Sequence, residues 1–305
     1  MIGITELKYS NTNTYLIRGE NGGILFDTGW AGTFPAFCAA LGADGKKLTD
    51  IDYILISHFH PDHMGIAQEI ADKGPKILIA DLQKGFVHSS DAIFEKDKRI
   101  RFEPIVDVNT EVISVEESRE FLKKLGVEGE ILYTPGHSDD SISLWLDEGY
   151  LFVGDLNPLY ELELHKGTQI GESWEKLLAL KPKRVFYGHA KTAELAEVKS
   201  DTTGALTGER YDMTEASADG ISDTTGDYEK NDRQGHTISE KENKDDLFRL
   251  VSQIMKYIDK GYSLDRIQRK TGADPEFIED VNRMYLTHQN VGVQGILDRI
   301  EIKNK

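Results

Sequence analysis

The chain has 305 residues, of which 39% are apolar and 29% are charged, and its formal net charge is −17. This length and composition suit about two domains, or one large α/β domain with an appendage. The negative charge repels nucleic-acid phosphates and anionic lipid surfaces, so neither a large nucleic acid nor a membrane is expected as a partner. The single cysteine, Cys38, excludes an internal disulfide, and we expect a cytoplasmic protein.

Short strands and helices alternate along the first 200 residues. Two β-rich runs, 13–17 and 23–26, flank glycine-rich punctuation and predict a hairpin. An amphipathic helix is predicted over 34–41, and the nearly continuous apolar run 52–56 predicts a strand that is buried on both faces. Helical periodicity follows over 64–73. Further strands are predicted over 76–80, 131–133, 141–146, 150–153 and 184–187. This mixture predicts a layered α/β or α+β domain over residues 1–200.

The composition changes after residue 200. Residues 201–243 are rich in Asp, Gly, Thr, Ser and Glu and have no apolar period, which predicts a flexible acidic linker or surface excursion. Helical spacing resumes near Asp245, and further helices are predicted to begin near Ser263 and Asp274. Residues 244–305 are therefore predicted to form a small helical module.

Three histidines and an aspartate follow the predicted buried strand in the run Ser-His-Phe-His-Pro-Asp-His. Such groups are costly to bury without partners, whereas neutral imidazole and carboxylate are preferred zinc ligands. His58 and His60 are two residues apart, so on an extended segment they point the same way and can hold one ion. Asp62 and His63 lie beyond Pro61, at the turn into the next helix, and can face a second ion.

The loop resembles the H-x-H-x-D-H signature of the metallo-β-lactamase superfamily, and the resemblance covers about residues 10–195. The family's other motifs follow in order: Thr134-Pro135-Gly136-His137 is similar to its T-P-G-H segment, Gly154-Asp155 to its strand-G-D, and Gly188-His189 to its closing G-H. The resemblance implies an αββα sandwich, to which this chain adds a small C-terminal helical module that is similar to a winged helix.

The resemblance also implies the roles of individual residues. The first ion would be held by His58, His60 and His137, and the second by Asp62, His63 and His189. Asp155 would bridge both ions. Asp27, in a sequence similar to the family's early D-T-G, would support the loop without binding metal.

A site of this kind implies a hydrolase. Two divalent ions, zinc first and iron or manganese as alternatives, would activate a bridging hydroxide that attacks a small-molecule ester, thioester or lactone. Asp62 would also pass a proton to the leaving group. Branches with a bridging cysteine are excluded by Asp155, and His60 argues against the flavo-diiron branch, which has glutamate there. The complete ligand set argues against the mononuclear persulfide-oxidising branch.

Two alternatives remain open. Phosphodiesterases and nucleases of the superfamily share these ligands, so cleavage of a phosphodiester is the first. The second is a DNA-binding regulator, because the predicted C-terminal helices are similar to a helix-turn-helix pair. The acidic residues of that module argue against DNA. We expect instead that the module covers the pocket or forms a homodimer contact.

Overall fold

A computed structural model describes residues 2–95, 101–195, 240–260, 262, 264–287 and 292–303. The strands of these residues form two sheets. The first contains β1 (Gly3–Leu7), β2 (Thr14–Arg18), β3 (Gly23–Phe26), β4 (Tyr53–Leu55), β5 (Lys76–Ala80) and β6 (Thr110–Ile113). The second contains β7 (Gly129–Tyr133), β8 (Ile142–Leu146), β9 (Tyr150–Phe152), β10 (Arg184–Phe186) and β11 (Ala193–Glu194).

Both sheets combine antiparallel and parallel pairs. In the first sheet β1, β2 and β3 are antiparallel neighbours, and β3 to β6 run parallel to one another. In the second sheet β7, β8 and β9 are antiparallel, β9 and β10 are parallel, and β11 closes the edge as an antiparallel strand. Each sheet therefore has neighbouring strands whose carboxyl ends lie at the same edge, where ligand sites of α/β sheets are found.

Helices pack against the outer faces of the two sheets, and the helix that carries Phe121 and Leu122 packs against the core between the sheets. In chain order they are α1 (Phe34–Ala43), α2 (Pro61–Met64), α3 (Ala67–Ala71), α4 (Asp91–Glu95), α5 (Ser118–Lys124) and α6 (Gln169–Leu178). The C-terminal module contains α7 (Glu240–Ile258), α8 (Leu264–Thr271), α9 (Pro275–Thr287) and α10 (Val293–Lys303). Among the described helices, none is long and apolar enough to cross a membrane.

The alternation of side chains along the strands builds the layers. On β2, Leu16 packs on the side of α1, in the same buried cluster as Phe37. Its neighbour Tyr15 points to the other face and makes an edge contact with Phe152 of the second sheet. The outer face of the second sheet packs against Trp174 of α6. The order helix, sheet, sheet, helix confirms the predicted αββα sandwich.

The helical module has a buried core of its own, with Val251, Ile254, Ile267, Met284 and Ile296 among its members. Its described residues form four helices and no strand, whereas the sequence predicts three helices. Helix α7 begins within the last residues of the predicted linker, and 201–239 lie outside the described residues. Lys191 of the sandwich and Glu276 of the module form an exposed ion pair with an N–O distance of 3.2 Å.

The predicted helix over 64–73 differs from the structure, where α2 and α3 are separate. The break falls at Gly65, whose N–H donates to the Gly29 carbonyl at 2.9 Å instead of continuing a helical ladder. A Cβ at this position would lie 2.2 Å from the backbone nitrogen of Ala31, so only glycine permits this approach. The contact ties the segment that follows the histidine loop to the loop that follows β3.

Candidate metal centre

The seven predicted ligands come together at the carboxyl ends of four strands. The loop after β4 carries four of them, and the segments after β7, β9 and β10 carry His137, Asp155 and His189. Asp27 follows β3, the parallel neighbour of β4. Each of these segments follows a strand that contributes residues to the buried core, so the polar side chains project beyond that core into one shared space.

The first group consists of His58, His60 and His137, whose ligand atoms lie within 4.8 Å of one another. Nε2 of His137 is 3.1 Å from Nδ1 of His60. Two nitrogens at about 2.0–2.1 Å from a tetrahedral zinc ion lie about 3.3 Å apart, so this separation suits a shared ion.

The second group consists of Asp62, His63 and His189, which also offer ligand atoms within 4.8 Å of one another. Nε2 of His189 is 2.9 Å from Oδ2 of Asp62 and 3.2 Å from Nε2 of His63. These distances again suit atoms that share one cation.

Asp155 lies between the two groups. Its Oδ2 is 3.6 Å from Nε2 of His137 and 4.0 Å from Nε2 of His58. Its Oδ1 is 3.2 Å from Nε2 of His63 and 3.4 Å from Nε2 of His189. Each carboxylate oxygen therefore faces a different group.

The segments that carry Asp155 and His189 approach each other closely at the backbone. A Cβ at Gly188 would lie 2.6 Å from Oδ1 of Asp155 and 2.8 Å from Cε1 of His63. The N–H of Gly188 donates to the Gly154 carbonyl at 2.7 Å. The glycine that precedes His189 is thus required by the crowding of the site itself.

Burial and neighbouring charges divide the histidines of the site into two kinds. Burial lowers the pKa of His58 well below its ordinary value, and neighbouring imidazoles lower it further; burial also lowers the pKa of His60. Burial alone would lower the pKa of His63 and of His189 as well, but the carboxylates around them, Asp155 first, raise both. The pKa of Asp155 is lowered because His189 and His63 outweigh the effect of burial.

Several buried atoms of the site lack the partner that burial requires. Nε2 of His58 has no hydrogen-bond partner among the described residues, and Oδ2 of Asp62 and Oδ1 of Asp155 have none of suitable geometry. Buried polar atoms are nearly always satisfied in native proteins. A divalent cation would satisfy all three, because each is a type of atom that binds zinc. The residues of the site therefore fit a metal centre.

Asp27 contacts the histidine loop from the side of the first sheet. It is fully buried at a φ of 62°. Its Oδ1 accepts from the N–H of Ser57 at 2.7 Å, and its Oδ2 lies 2.9 Å from Oγ of Ser57 and 2.8 Å from Nδ1 of His63. Its role as a support for the ligands stays a prediction.

The structure adds contacts that the sequence does not predict. Oγ1 of Thr12 donates to the Asp62 carbonyl at 2.7 Å, and Nδ1 of His189 is 2.7 Å from the Asn11 carbonyl. Both residues lie in the connection between β1 and β2, which carries no recognisable motif. Side-chain contacts to the backbone of distant segments have no signature in residue spacing, so no sequence signal could have identified them.

Two further buried residues touch the ligand-bearing segments, namely Gln83 and Asp140. Oδ2 of Asp140 accepts from the N–H of Phe59 at 2.6 Å, and Nε2 of Gln83 donates to the carbonyls of Ile56 and Asp140, both at 3.0 Å. Asp140 is three residues beyond His137, but the sequence gives no reason to choose it over its neighbour Asp139. Gln83 has no sequence signal.

A cavity of about 1110 Å³ opens beside His189. Tyr9 and Trp30 of the sandwich line one part of it, and Tyr262 and Arg266 of the module line another. Of the predicted ligands, His189 lines this space between the sandwich and the module, which is large enough for a small organic molecule.

Comparisons with known proteins agree with this fold. The family model of the metallo-beta-lactamase superfamily matches residues 8–189. The chain belongs to this superfamily of metal-dependent hydrolases, which confirms the resemblance that the motifs indicate. The matched residues include every predicted ligand from the loop after β4 to the segment after β10.

Similar curated proteins include a beta-lactamase-like protein 2 homolog of Drosophila melanogaster, 32% identical over 62% of this chain and 62% of its own length. A hydroxyacylglutathione hydrolase of Rhodopseudomonas palustris is 31% identical over 51% of this chain and 53% of its own. The chain therefore spans less than two thirds of the length of either relative. A solved metallo-beta-lactamase family protein from Thermus thermophilus is 21% identical, covers 63% of this chain and 74% of its own, and has a TM-score of 0.48.

Proposed function

We propose that the protein is a binuclear metal-dependent hydrolase that cleaves an ester, thioester or lactone bond of a small molecule. The observation that carries the proposal is the position of Asp155, whose two oxygens face two different ligand groups at 3.6 Å and 3.2 Å. One ion would be held by His58, His60 and His137, and the other by Asp62, His63 and His189. When bound, such ions acidify a water to a pKa of about 7 and polarise the bond under attack.

One residue of the site, Asp62, can carry the proton that must pass from the attacking water to the leaving group. Burial would raise the pKa of Asp62, but His63 and His189 keep it below its ordinary value, so this carboxylate is ionised at neutral pH. In this state it accepts a proton before it can donate one. We infer that Asp62 takes the proton of the attacking water and returns it to the leaving group.

The kind of substrate follows from the space around the site and from the charge of the chain. Ligand clefts for small molecules have volumes of about 300–1,000 Å³, and the cavity beside His189, at about 1110 Å³, is comparable. A net charge of −17 disfavours a large nucleic acid. The similarity to a hydroxyacylglutathione hydrolase adds support for thioesters as one class to test. Zinc is the proposed metal, with iron and manganese as alternatives for the same ligands.

Metal analysis of the purified protein, combined with a panel of thioesters, lactones, aryl esters and bis-aryl phosphodiesters, tests the proposal. We expect two divalent ions per chain and hydrolysis of at least one carbonyl substrate, lost on chelation and restored by zinc. If the protein hydrolyses only the phosphodiesters of the panel, the proposed substrate class would change from carbonyl compounds to phosphodiesters. A fully reconstituted protein that holds one ion or none would contradict the binuclear site.

A further inference from the structure

Two segments that carry the first ligand group are joined by side chains that are not themselves ligands. His58 and His60 stand on the loop after β4, and His137 stands on the loop after β7, in the other sheet. The N–H of Ile142 donates to the Ser57 carbonyl at 2.9 Å, which brings the two loops together at their bases. Beyond this backbone contact, Asp140 and Gln83 also link the two loops by hydrogen bonds.

Asp140 reaches from the His137 loop to the backbone between the other two ligands. Its Oδ2 accepts from the N–H of Phe59 at 2.6 Å, and the residue is 3% exposed. Phe59 is the residue between His58 and His60, so this carboxylate holds the backbone between the two ligand side chains. A short, charge-assisted hydrogen bond in a buried place is among the strongest that a side chain can make.

Gln83 forms hydrogen bonds with the same two loops. It stands just after β5 and is fully buried. Its Nε2 donates to the Ile56 and Asp140 carbonyls, both at 3.0 Å, and its Oε1 accepts from the N–H of Ala80 at 3.3 Å. One amide therefore ties the base of the histidine loop, the His137 loop and the end of β5 together, and its donor and acceptor are both used.

We propose that Asp140 and Gln83 are positioning residues for the first ligand group, and that they set the geometry of His58, His60 and His137 before an ion binds. This inference rests on the proposed function, because it assigns the two residues to one of its two ion sites. The second group is contacted by other residues, namely Thr12, Asn11 and Asp27. Loss of the Asp140 contact should therefore weaken one ion and spare the other.

The experiment compares Asp140→Ala with Asp139→Ala. Asp139 is the exposed neighbour of the same residue type, and its backbone carbonyl accepts from the Tyr133 hydroxyl at 3.0 Å. Each holoprotein is titrated with a competing chelator, and each cobalt-substituted form is examined by visible absorption. We expect Asp140→Ala to lose about 10–100-fold in affinity for one ion, with an altered band from one cobalt, while Asp139→Ala resembles the wild type.

Two further variants separate positioning from general loss of structure. Asp140→Asn keeps an oxygen that can accept from Phe59, so its affinity should lie between those of the wild type and Asp140→Ala. Gln83→Met, similar in size but without the amide, should weaken the same ion. Equal weakening of both ions, or wild-type affinity in Asp140→Ala, would overturn the inference.

The number of ions bound by the wild-type protein tests the proposed function independently of these variants. A wild-type protein with a single ion would refute the binuclear proposal, while the affinity ratio between Asp140→Ala and Asp139→Ala would still decide the inference. A wild-type protein that binds no ion would refute both.

Discussion

Oδ2 of Asp27 lies 2.8 Å from Nδ1 of His63, and both side chains are completely buried. This contact leaves Nε2 of His63 directed at Asp155, 3.2 Å from its Oδ1. A carboxylate that holds the far nitrogen of a ligand histidine orients the ring and fixes its tautomer. We therefore expect Asp27 to determine which nitrogen of His63 faces the proposed metal centre.

Replacement of Asp27 by Asn should weaken metal binding by about 10–100-fold without unfolding the protein. Asparagine tolerates the left-handed φ of 62° that this position requires, so the loop after β3 should be retained. The measurement is a chelator competition, with a thermal melt as the check on folding. Asp44→Asn, an exposed change away from the site, is the control. Unchanged affinity in Asp27→Asn would refute the supporting role.

The two ligand groups should lose their ions independently. His137→Ala should leave one ion per chain, because it removes a ligand of the first group only, and His189→Ala should leave the other. Inductively coupled plasma mass spectrometry after dialysis gives the count. His88→Ala is the control, because its side chain is 55% exposed and pairs with Asp91 outside the site. Loss of both ions in each ligand variant would indicate a single coupled site instead.

The motifs predict candidate ligands that the structure brings close together, because each motif is local. The four ligands after β4 fall within six residues, and the other three follow strands whose apolar runs are evident in the sequence. A ligand needs a particular residue type at a particular place, and this leaves a signature in the spacing. The fold is predicted for the same reason, since strands buried on both faces read as continuous apolar runs.

The supporting contacts and the outer elements are not predictable in this way. Gln83 and Thr12 act on backbone carbonyls, which every residue has, so their partners leave no trace in the sequence. Strands β1 and β6 lie at the edges of the first sheet and are only partly buried, which removes the apolar pattern. Helix α6 has a glycine, Gly171, in its first turn. Because glycine lowers helix propensity, the start of this helix is hard to predict from the sequence.

Replacement of Asp155 should reduce turnover and metal binding strongly, whereas replacement of Cys38 should not. Asp155→Asn keeps the shape of the side chain but removes the charge shared between the groups, so both ions should be held more weakly and turnover should fall by orders of magnitude. Cys38→Ala should leave turnover nearly unchanged, because burial and nearby Glu69 raise the pKa of the thiol and disfavour the thiolate. The measurements are kcat and metal content on a substrate found with the panel. A large rate loss in Cys38→Ala with metal and fold intact would mean that the nucleophile is a thiol.

The stability of the metal-free protein should depend on pH through the histidines of the site. His63 and His189 have a raised pKa in the folded state, so their stabilising contribution is complete below their ordinary value of 6.5 and is lost as the pH rises through the raised values. His58 and His60 have a lowered pKa, so the unfolded chain takes up their protons as the pH falls below 6.5, and stability is lost there. The contribution of these four residues therefore peaks near pH 6.5.

Thermal melts of the chelator-treated protein across about two pH units on either side of 6.5 test this expectation. The melting temperature should be highest near 6.5 and fall on both sides. Zinc-loaded protein is the control: bound metal keeps the imidazoles neutral, so the decline on the alkaline side should disappear, while protons should still compete with the metal on the acidic side. Asp62 and Asp155 do not disturb the comparison, because their ordinary pKa of 3.8 is already lowered. A melting temperature of the metal-free protein that rises steadily above pH 6.5 would contradict the assignment of raised pKa values to His63 and His189.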